Sequence, residues 1–459
     1  MSLSLLAAAR EAPESVALVE TGRAWTFAEL APAVAAEAAA LARSAGGGRP
    51  FLLLDANVSL ETLVRLFAAF EAGIPTALLH PRWTGAERSR AAAAVPGATE
   101  SDAVARDGRV LPWNAPPPPD DDRPLAVVFT SGSTAAPKGV VLSRAAMAAS
   151  AAASAERLGW RDDDRWVLSL SPAHVGGLSI VTRCLLARRT IVLQPAEGAA
   201  ALLDAIRAER VTLLSLVAAQ LRRLLDAAGG DAPASLRAVL VGGGPCPLAL
   251  LDEAWRRGWP VLPTYGMTEA CSQVATAAPG WTPEDGLAVP PLPGVEVRVV
   301  EGEIQVRGPI VSASLLPEDA HPSPLTTDGW LRTGDLGRLD GRGRIEVLGR
   351  RDTVIVTGGE NVGPEEVETA LLECPDVREA LVFGVEDPTW GALVAAAVVP
   401  APGTALDAAA LRAGLTERLA SFKLPRLLAV VDELPRLAGG KPDRRGASAA
   451  LAHALRRFR

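Results

Sequence analysis

The stretch Thr130-Ser-Gly-Ser-Thr-Ala-Ala-Pro-Lys138-Gly139 decides how the rest of the chain is interpreted. It follows an apolar strand pattern at residues 125–129 and holds four hydroxyls, two glycines and one lysine. Glycines let backbone N–H groups approach phosphate oxygens, hydroxyls donate further hydrogen bonds, and an ammonium offsets anionic charge. Pro137 stands where a Walker A loop needs glycine, so this is not that motif. Taken alone, the loop fits a polyphosphate cradle and an ordinary Ser/Thr-rich turn about equally well.

The residues around this loop alternate between short apolar strands and helices, which is typical of an α/β fold. A capping box at Thr26-Phe-Ala-Glu29 predicts a helix start, and the apolar runs at 51–54 and 74–79 predict buried strands. After about residue 290, short alternating segments separated by Gly and Asp-Gly turns predict a small antiparallel β unit. A new run of helices and strands begins after Asp352. We therefore predict an N-terminal domain over residues 1–349 and a smaller C-terminal domain over residues 350–459.

Composition narrows the class of protein. A chain of 459 residues predicts two or three structural units, and a net charge of -7 gives no basic face for nucleic acid. No apolar run approaches the ~18 residues that cross a bilayer, and a charge at Arg10 predicts no secretory leader. The four cysteines lack CxxC spacing, which favours a reducing cytoplasm over a zinc site or a disulfide framework. We expect small-molecule partners, and a homodimer stays open.

Further motifs follow the loop in a fixed order. They are Leu240-Val-Gly-Gly-Gly244, Pro263-Thr-Tyr-Gly-Met-Thr-Glu269, Trp330-Leu-Arg-Thr-Gly-Asp335, the segment from Gly349 to Glu368, and Pro435-Arg436 with Gly440-Lys441 and Arg444. Together they resemble the motifs of the adenylate-forming superfamily, which comprises acyl-CoA synthetases, peptide-synthetase adenylation domains and luciferases. Chance agreement of the ordered set is negligible beside the risk for any one motif. The resemblance implies stacked αβ subdomains with a small β unit in the large AMP-binding domain, followed by a mobile α+β domain.

The resemblance also implies an ATP site. Its residues would be Thr130, Ser131, Gly132, Ser133, Thr134, Lys138, Gly243, Gly244, Tyr265, Asp335 and Arg350. A flat ring with a polar tip, such as Tyr265, suits adenine. The acceptor-only carboxylate of Asp335 suits two ribose hydroxyls, with Arg350 assisting from the other side. Without the other motifs, Tyr265 would be assigned to core packing and Asp335 to a turn.

Four residues carry the predicted catalytic chemistry. By the resemblance, Lys441 stabilises the charge that builds up during attack on the α-phosphorus, although a lone lysine between glycine and proline would be assigned to the surface. Glu269 would hold Mg²⁺ against the triphosphate, and Thr268 would donate to the α-phosphate. His174 resembles the gating residue of the acyl pocket, and it also fits a buried structural histidine.

The hinge motif implies a second reaction in the same site. In the superfamily, the C-terminal domain rotates about a residue equivalent to Asp352, which withdraws the lysine and opens a tunnel for the thiol of CoA. Gly358 and Gly359 would line that tunnel. Pro364 followed by Glu365 is also typical of the first turn of a helix, so part of the motif could have a purely structural role.

The acid substrate is the remaining question. Residues 265–276 resemble the motif of o-succinylbenzoate:CoA ligases of menaquinone biosynthesis. Peptide-synthetase adenylation domains usually carry an aspartate that binds the amino group of the substrate, but residues 169–180 contain no acidic side chain. Activation of an amino acid is therefore disfavoured. The predicted acyl pocket consists of His174, Gly243, Gly244, Ser272, Gln273 and Thr276. In one interpretation, the neutral hydrogen-bond donors of this pocket face a second carboxylate of the substrate. In the alternative, they only satisfy local backbone groups. We predict an AMP-forming ligase that uses ATP, Mg²⁺ and CoA. The alternatives are another aryl or medium-chain acyl-CoA synthetase and a catalytically silent nucleotide-binding relative.

Overall fold

A computed structural model of the chain describes residues 2–44, 49–95, 110–113, 123–130, 138–194, 198–244, 246–312, 314–317, 323–357, 360–437 and 440–458. The helices are α1 Leu5–Glu11, α2 Phe27–Ser44, α3 Leu60–Ala72, α4 Gly85–Ala93, α5 Arg144–Leu158, α6 Val175–Ala187, α7 Ala199–Ala208, α8 Ala218–Ala228, α9 Leu248–Arg256, α10 Pro364–Leu372, α11 Ala408–Thr416 and α12 Ala447–Ala450.

The strands are β1 Val16–Glu20, β2 Arg23–Thr26, β3 Arg49–Asp55, β4 Thr76–Leu79, β5 Val110–Trp113, β6 Pro124–Thr130, β7 Lys138–Ser143, β8 Arg165–Val167, β9 Thr190–Leu193, β10 Leu213–Leu216, β11 Ala238–Val241, β12 Val261–Met267, β13 Ser272–Thr276, β14 Glu296–Val300, β15 Glu303–Arg307, β16 Ser314–Leu316, β17 Leu331–Leu339, β18 Ile345–Arg350, β19 Ile355–Thr357, β20 Glu360–Val362, β21 Val377–Asp387, β22 Gly391–Pro400, β23 Leu427–Val430 and β24 Arg456–Arg457. Short 3₁₀ turns lie at 268–270, 283–285, 351–353 and 421–423.

An eight-stranded sheet has the order β13-β12-β11-β10-β8-β9-β1-β2. Its central strands are parallel and their residues are almost all buried, as expected for strands covered on both faces. Parallel strands bring their carboxyl ends to one edge, where α/β proteins bind ligands. The ends of β11 and β12 therefore place the glycines after Val241 and the Tyr265 region beside one another.

A six-stranded sheet has the order β16-β7-β6-β4-β3-β5. Here β6 and β7 run antiparallel, with Thr130 opposite Lys138. The capping box predicted at the start of α2 is confirmed, because the Thr26 N–H donates to Glu29 and the Glu29 N–H donates back to Thr26. The structure thus confirms an α/β fold with parallel strands at its centre.

A small sheet has the order β14-β15-β17-β18, with β17 and β18 antiparallel, so the small antiparallel unit predicted after residue 290 is present. The last sheet contains β19 to β24. Alternate residues of β22 belong to two separate hydrophobic clusters, so both of its faces are buried. Helices α10 and α11 contribute to one cluster, and α12 contributes to the other.

The chain divides into two compact units. The first contains residues 1–244, 250–297 and 305–332, and the second contains residues 245–249, 298–304 and 333–459. The domain boundary that we predict near Gly349–Asp352 stays a prediction. Within the described ranges, no helix is long and apolar enough to cross a membrane.

Candidate active site

The phosphate-side loop is closed at its base by a strand pair. Thr130 and Lys138 face each other across the β6–β7 ladder, and the Thr130 hydroxyl lies 3.5 Å from the Lys138 carbonyl oxygen. This pairing fixes where the segment between them leaves and rejoins the sheet. The predicted phosphate ligands Ser131, Gly132, Ser133 and Thr134 lie outside the described residues.

An ion pair joins that loop to the Thr268-Glu269 motif. Lys138 Nζ lies 2.6 Å from Glu269 Oε1, and both side chains are about one-fifth exposed. The Glu269 carbonyl oxygen accepts from the Ser312 N–H at 2.8 Å, and the Ser312 hydroxyl donates to Val141 of β7. Two residues 131 positions apart in sequence are therefore held together by both side-chain and backbone contacts.

The surroundings of Glu269 fit a metal that arrives with a nucleotide. No group of three or more His, Cys, Asp or Glu side chains suited to a metal occurs in the described part of the chain. Mg²⁺ usually takes one or two protein carboxylates together with substrate phosphates and water, so a single partly buried carboxylate beside a lysine matches that pattern. Thr268 precedes Glu269 in the same 3₁₀ turn and is half-buried.

The predicted adenine and aryl side lies at the adjacent ends of β11 and β12. Tyr265 is half-buried on β12, which pairs with β11 through Leu240 and Leu262. Gly243 has a φ of +79°, a conformation that L side chains rarely adopt. A Cβ on Gly244 would meet no atom of the described residues within 4 Å. A Cβ on Gly243 would lie 3.3 Å from Val217, so the open space is at Gly244, and the flat ring that the sequence places here stays a prediction.

The turn after Glu269 has a constrained backbone. Cys271 and Ser272 both have positive φ, +50° and +96°, which is uncommon for residues with a side chain. The Ser150 hydroxyl donates to the Cys271 carbonyl oxygen at 2.6 Å in a buried contact. Strained backbone of this kind clusters at binding and catalytic sites, where surrounding contacts hold it.

Two of the predicted acyl-pocket residues form a buried local network. Gln273 Nε2 donates to the Thr276 hydroxyl at 2.6 Å and to the Thr264 hydroxyl at 3.3 Å. Thr276 is fully buried, and Gln273 is 3% exposed. Gln273 Oε1 makes no hydrogen bond to the described residues. The network orients β13, and the predicted contact of Gln273 and Thr276 with substrate stays a prediction.

Ser272 contacts Arg183, a residue that was not selected from the sequence. Arg183 on α6 is 3% exposed, and its Nη2 lies 3.4 Å from the Ser272 hydroxyl. Ser179 links the same two elements, because its hydroxyl lies 3.3 Å from the hydroxyl of Ser272. The guanidinium carbon lies 5.5 Å from the centre of the Trp166 ring.

No acidic side chain among the described residues forms an ion pair with Arg183, and its Nε has no hydrogen-bond partner there. Burial lowers the pKa of the Arg183 guanidinium to about 9, with Cys184 giving a small opposing effect. A buried cation is costly unless it is paired, so a carboxylate from outside this set would relieve the cost. The available sequence signal was that Arg183 is the only charged residue in the sequence of helix α6.

His174 lies at the start of α6 and is exposed, so it is not the buried structural histidine that the sequence left open. Its ring centre lies 5.2 Å from that of His80, a second histidine that the motif search did not select. His80 is 3% exposed, and burial lowers its pKa, with Arg82 adding to the effect. The His80 Nδ1 accepts from the Arg82 N–H.

The second unit contains the predicted ribose and hinge residues. Arg350 Nη1 lies 3.1 Å from Asp335 Oδ1, and Asp335 is 7% exposed. Arg350 Nε also donates to Asp352 at 2.9 Å, and Arg445 lies 3.3 Å from the other oxygen of Asp352. Burial alone would raise the pKa of Asp352, but the hydrogen bond and charge of Arg350 lower it overall. Gly358 and Gly359 lie outside the described residues.

Lys441 lies in a tight backbone hairpin of the second unit. The Leu437 N–H donates to the Lys441 carbonyl oxygen at 2.8 Å, and Arg436 pairs with Pro442 in an antiparallel bridge. Gly440 has a φ of +81°, which fits glycine at this turn. The lysine side chain is exposed.

Two cysteines near the first-unit site are fully buried. Cys271 follows the Thr268-Glu269 turn, and Cys184 follows Arg183. Burial raises the pKa of both thiols. Both side chains therefore stay protonated at neutral pH.

Comparison with known proteins identifies the family. The model for AMP-binding enzymes matches residues 91–314, and the model for the AMP-binding enzyme C-terminal domain matches residues 366–441. A 2-succinylbenzoate–CoA ligase of Bacillus pumilus is 35% identical over an alignment of 474 residues that covers 96% of each chain. The Bacillus licheniformis ligase of the same name is 41% identical over 327 residues, which is 69% of this chain and 68% of that protein.

Solved structures agree with these relatives. The o-succinylbenzoate CoA synthetase (MenE) from Bacillus subtilis in complex with the acyl-adenylate intermediate OSB-AMP matches with a TM-score of 0.86 and 31% identity, covering 100% of this chain and 99% of that one. The same enzyme in complex with ATP and magnesium ion matches with a TM-score of 0.83 and 32% identity, covering 97% and 98% of the two chains. The predicted superfamily resemblance is confirmed, and the chain belongs to the AMP-binding enzyme family.

Proposed function

We propose that the chain is a 2-succinylbenzoate–CoA ligase, an ATP-dependent acid–thiol ligase that releases AMP. Relatives of that name align over nearly the whole chain, with 35% identity across 96% of it in one case. The observation that carries the choice of acid is the buried Arg183 beside Ser272. This guanidinium forms no ion pair with a described acidic side chain. An acid with a second carboxylate supplies that missing anion.

The first half-reaction joins the acid to the α-phosphate. A carboxylate oxygen of the acid attacks the α-phosphorus of ATP and forms a P–O bond. The bond from the α-phosphorus to its bridging oxygen breaks, and pyrophosphate leaves with that electron pair. Negative charge grows on the phosphate oxygens, so cationic and hydrogen-bonding groups that meet it in the transition state accelerate the step.

The residues of the chain divide this task. Thr268 and Lys138 contact the phosphates, while Lys441 contacts the oxygens on which charge develops. Magnesium bound with the nucleotide supplies further charge neutralisation, and Glu269 is the carboxylate that would hold it. The Lys138–Glu269 pair keeps both side chains oriented before the nucleotide arrives.

The second half-reaction transfers the acyl group. The sulfur of CoA attacks the acyl carbon and forms a C–S bond, the C–O bond to AMP breaks, and the thiol proton passes to solvent. Asp335 and Arg350 hold the ribose, and movement about Asp352 withdraws Lys441 between the two half-reactions. Gly358 and Gly359, which lie outside the described residues, are the positions that we assign to the path of the thiol-bearing arm.

Arg183 defines the end of the acyl pocket in this proposal. The aromatic ring lies over the glycines at the end of β11, and the side-chain carboxylate extends toward Arg183 and Ser272. Hydrogen bonds to charged groups contribute about 1.5–3 kcal/mol, which is enough to separate 2-succinylbenzoate from benzoate. His174 closes the pocket from the start of α6.

The test is pyrophosphate release and thioester formation with ATP, Mg²⁺ and CoA across 2-succinylbenzoate, benzoates, fatty acids and amino acids. We expect a clear preference for 2-succinylbenzoate with its thioester as product. Lys441→Ala should abolish acyl-adenylate formation and leave thioester formation from supplied acyl-adenylate in place. Thioester from a different acid would retain the ligase and reject the substrate. No turnover with any acid would favour a catalytically silent relative.

The cellular setting follows from this reaction. A 2-succinylbenzoate–CoA ligase belongs to menaquinone biosynthesis, and we place it in the cytoplasm, in keeping with the scattered cysteines. Its partners are the acid, ATP and CoA, with no role for nucleic acid. A homodimer stays a prediction that sedimentation would check.

A further inference from the structure

The hairpin that carries Lys441 is held by both backbone and side-chain contacts. The Asp443 N–H donates to the Pro435 carbonyl oxygen at 2.8 Å, which closes the base of the hairpin. The Gly440 N–H donates to the Leu437 carbonyl oxygen at 2.8 Å, which closes its tip. Backbone contacts alone make a compact turn, but they do not hold that turn in a fixed place on the second unit.

Arg436 joins one strand of the hairpin to β21. Its guanidinium forms an ion pair with Glu379 on β21, and its Nη1 donates to the Gly440 carbonyl oxygen at 3.0 Å. The same side chain therefore contacts both the body of the second unit and the peptide group directly before Lys441. Both charged side chains of the pair are less than one-third exposed.

Arg444 fixes the other strand of the hairpin more deeply. Its two terminal nitrogens contact the two oxygens of Glu368 at 2.5 and 3.1 Å, the paired geometry that makes Arg–carboxylate contacts strong and directional. Arg444 also contacts Glu365 at 3.2 Å and donates to the Val382 carbonyl oxygen. Glu368 accepts in turn from the Val382 N–H at 2.7 Å, so the cluster includes the backbone of β21.

We propose that Arg436 and Arg444 are positioning residues for Lys441, and that their ion pairs with Glu379, Glu365 and Glu368 form a clamp on either side of the hairpin. The proposal rests on the proposed function, because it assigns the clamp to the half-reaction that uses Lys441. The lysine side chain is long and flexible, so its ammonium can be delivered reproducibly only if its backbone is fixed. A displacement of about 1 Å in a catalytic group can cost about 100-fold in rate.

The chain offers a matched set of variants. Arg436→Gln and Glu379→Gln remove one partner each from the less buried side of the clamp. Arg444→Lys keeps the charge but loses the paired geometry, which avoids leaving two buried carboxylates unpaired. Arg418→Gln is the control, because Arg418 pairs with Glu373 at 3.3 Å in the same unit with both side chains nearly half exposed.

We expect the clamp variants to slow the first half-reaction and to leave the second unchanged. Arg436→Gln, Glu379→Gln and Arg444→Lys should slow acyl-adenylate formation by about 10- to 100-fold. Thioester formation from supplied acyl-adenylate should stay within about twofold of the parent, since Lys441 is withdrawn in that step, and Arg418→Gln should change neither rate. Equal losses in both half-reactions, or no loss in the first, would overturn the proposal.

A double-mutant cycle tests whether the arginine acts through the lysine. In a Lys441→Ala background, Arg436→Gln should cause no further loss of acyl-adenylate formation, because the group that it positions is already absent. An undiminished loss in that background would show that Arg436 acts by another route and would contradict the inference.

Amide hydrogen exchange reads the clamp without any substrate. Exchange of the amides at 436, 437, 440, 441 and 443–446 should be faster in Arg436→Gln than in Arg418→Gln. Unchanged exchange at these amides would refute the clamp. If the parent protein instead failed to activate 2-succinylbenzoate, the proposed function would fail while the exchange result still decided the clamp.

Discussion

Arg183, a buried arginine beside Ser272, is the residue on which the proposed choice of acid rests. Arg183 is 3% exposed and contacts a hydroxyl and an aromatic face, neither of which balances its charge. Desolvating a guanidinium without a counter-charge costs folding free energy. In the proposed function, Arg183 belongs to the acyl pocket, and the second carboxylate of the substrate balances its charge on binding.

Replacing Arg183 therefore separates acid recognition from the chemistry. Arg183→Met should raise the KM for 2-succinylbenzoate by about 10- to 100-fold and leave the KM for ATP within about twofold. Any activity toward benzoate should not fall, because benzoate has no second carboxylate. Arg189→Met is the control. Arg189 lies two residues after the end of α6 and forms an ion pair with Asp162 at 2.7 Å. An unchanged KM for the acid in Arg183→Met would remove Arg183 from the pocket.

Glu269 is the second residue with a specific expectation. Glu269→Gln keeps the shape of the side chain but removes the charge that attracts a hard cation. The Mg²⁺ concentration that gives half-maximal acyl-adenylate formation should rise by about tenfold or more. Glu284→Gln, an exposed acid of the same unit, should leave the Mg²⁺ titration unchanged. Identical titrations for the two variants would assign the magnesium contact elsewhere.

Among elements, the turn between β12 and β13 organises most of the first-unit site. It carries Tyr265 at its start, the Thr268-Glu269 pair at its tip and Ser272 on its return. Gly266 makes the turn possible, because a Cβ there would lie 1.8 Å from the Ser272 carbonyl oxygen. The backbones of the two strands approach too closely at this point for any side chain.

Gly266→Ala should therefore damage the fold and the site together. The two strands would have to separate, and overpacking of this kind costs about 1–3 kcal/mol or more. We expect a lower midpoint of thermal unfolding and a loss in both half-reactions, measured by calorimetry and by the two rate assays. Gly230→Ala is the matched control, since a Cβ there meets nothing within 4 Å. Equal unfolding midpoints for the two variants would contradict the close approach.

At the scale of the whole molecule, the motifs predicted from sequence fall on two compact units. Lys138, Thr268, Glu269 and Tyr265 belong to the first unit, and Asp335, Arg350, Asp352 and Lys441 belong to the second. The proposed scheme assigns Lys441 to the first half-reaction only and therefore includes a hinge. Asp352, held by Arg350 and Arg445, is the predicted pivot.

Asp352→Pro tests that pivot. Proline fixes φ near −65° and removes the N–H, so rotation about this residue is restricted. Thioester formation from supplied acyl-adenylate should fall about tenfold or more, while acyl-adenylate formation stays within a few-fold of the parent. Asp352→Ala separates the two causes, because it removes the carboxylate and its ion pairs but leaves φ free. Normal thioester formation in the proline variant would place the pivot elsewhere.

Residues could be selected from the sequence where the pattern that identifies them is local. The capping box at Thr26 and Glu29 needs only local spacing, and the Lys138 and Glu269 motifs each have a recognisable local pattern. Arg183 could not be selected in this way. Its neighbour Ser272 is 89 positions away, and a single charged residue in a helix has the same pattern whether or not a partner exists. The need for glycine at 266 likewise depends on a cross-strand distance.

The buried cysteines have a consequence for a protein that handles an activated acyl group. An acyl-adenylate reacts with any accessible thiolate, and a thiolate next to the site would become acylated in place of CoA. Cys271 lies two residues after Glu269 and Cys184 directly after Arg183, yet both are buried as neutral thiols. At these two positions, desolvation keeps the thiols neutral and so protects Cys184 and Cys271 from acylation.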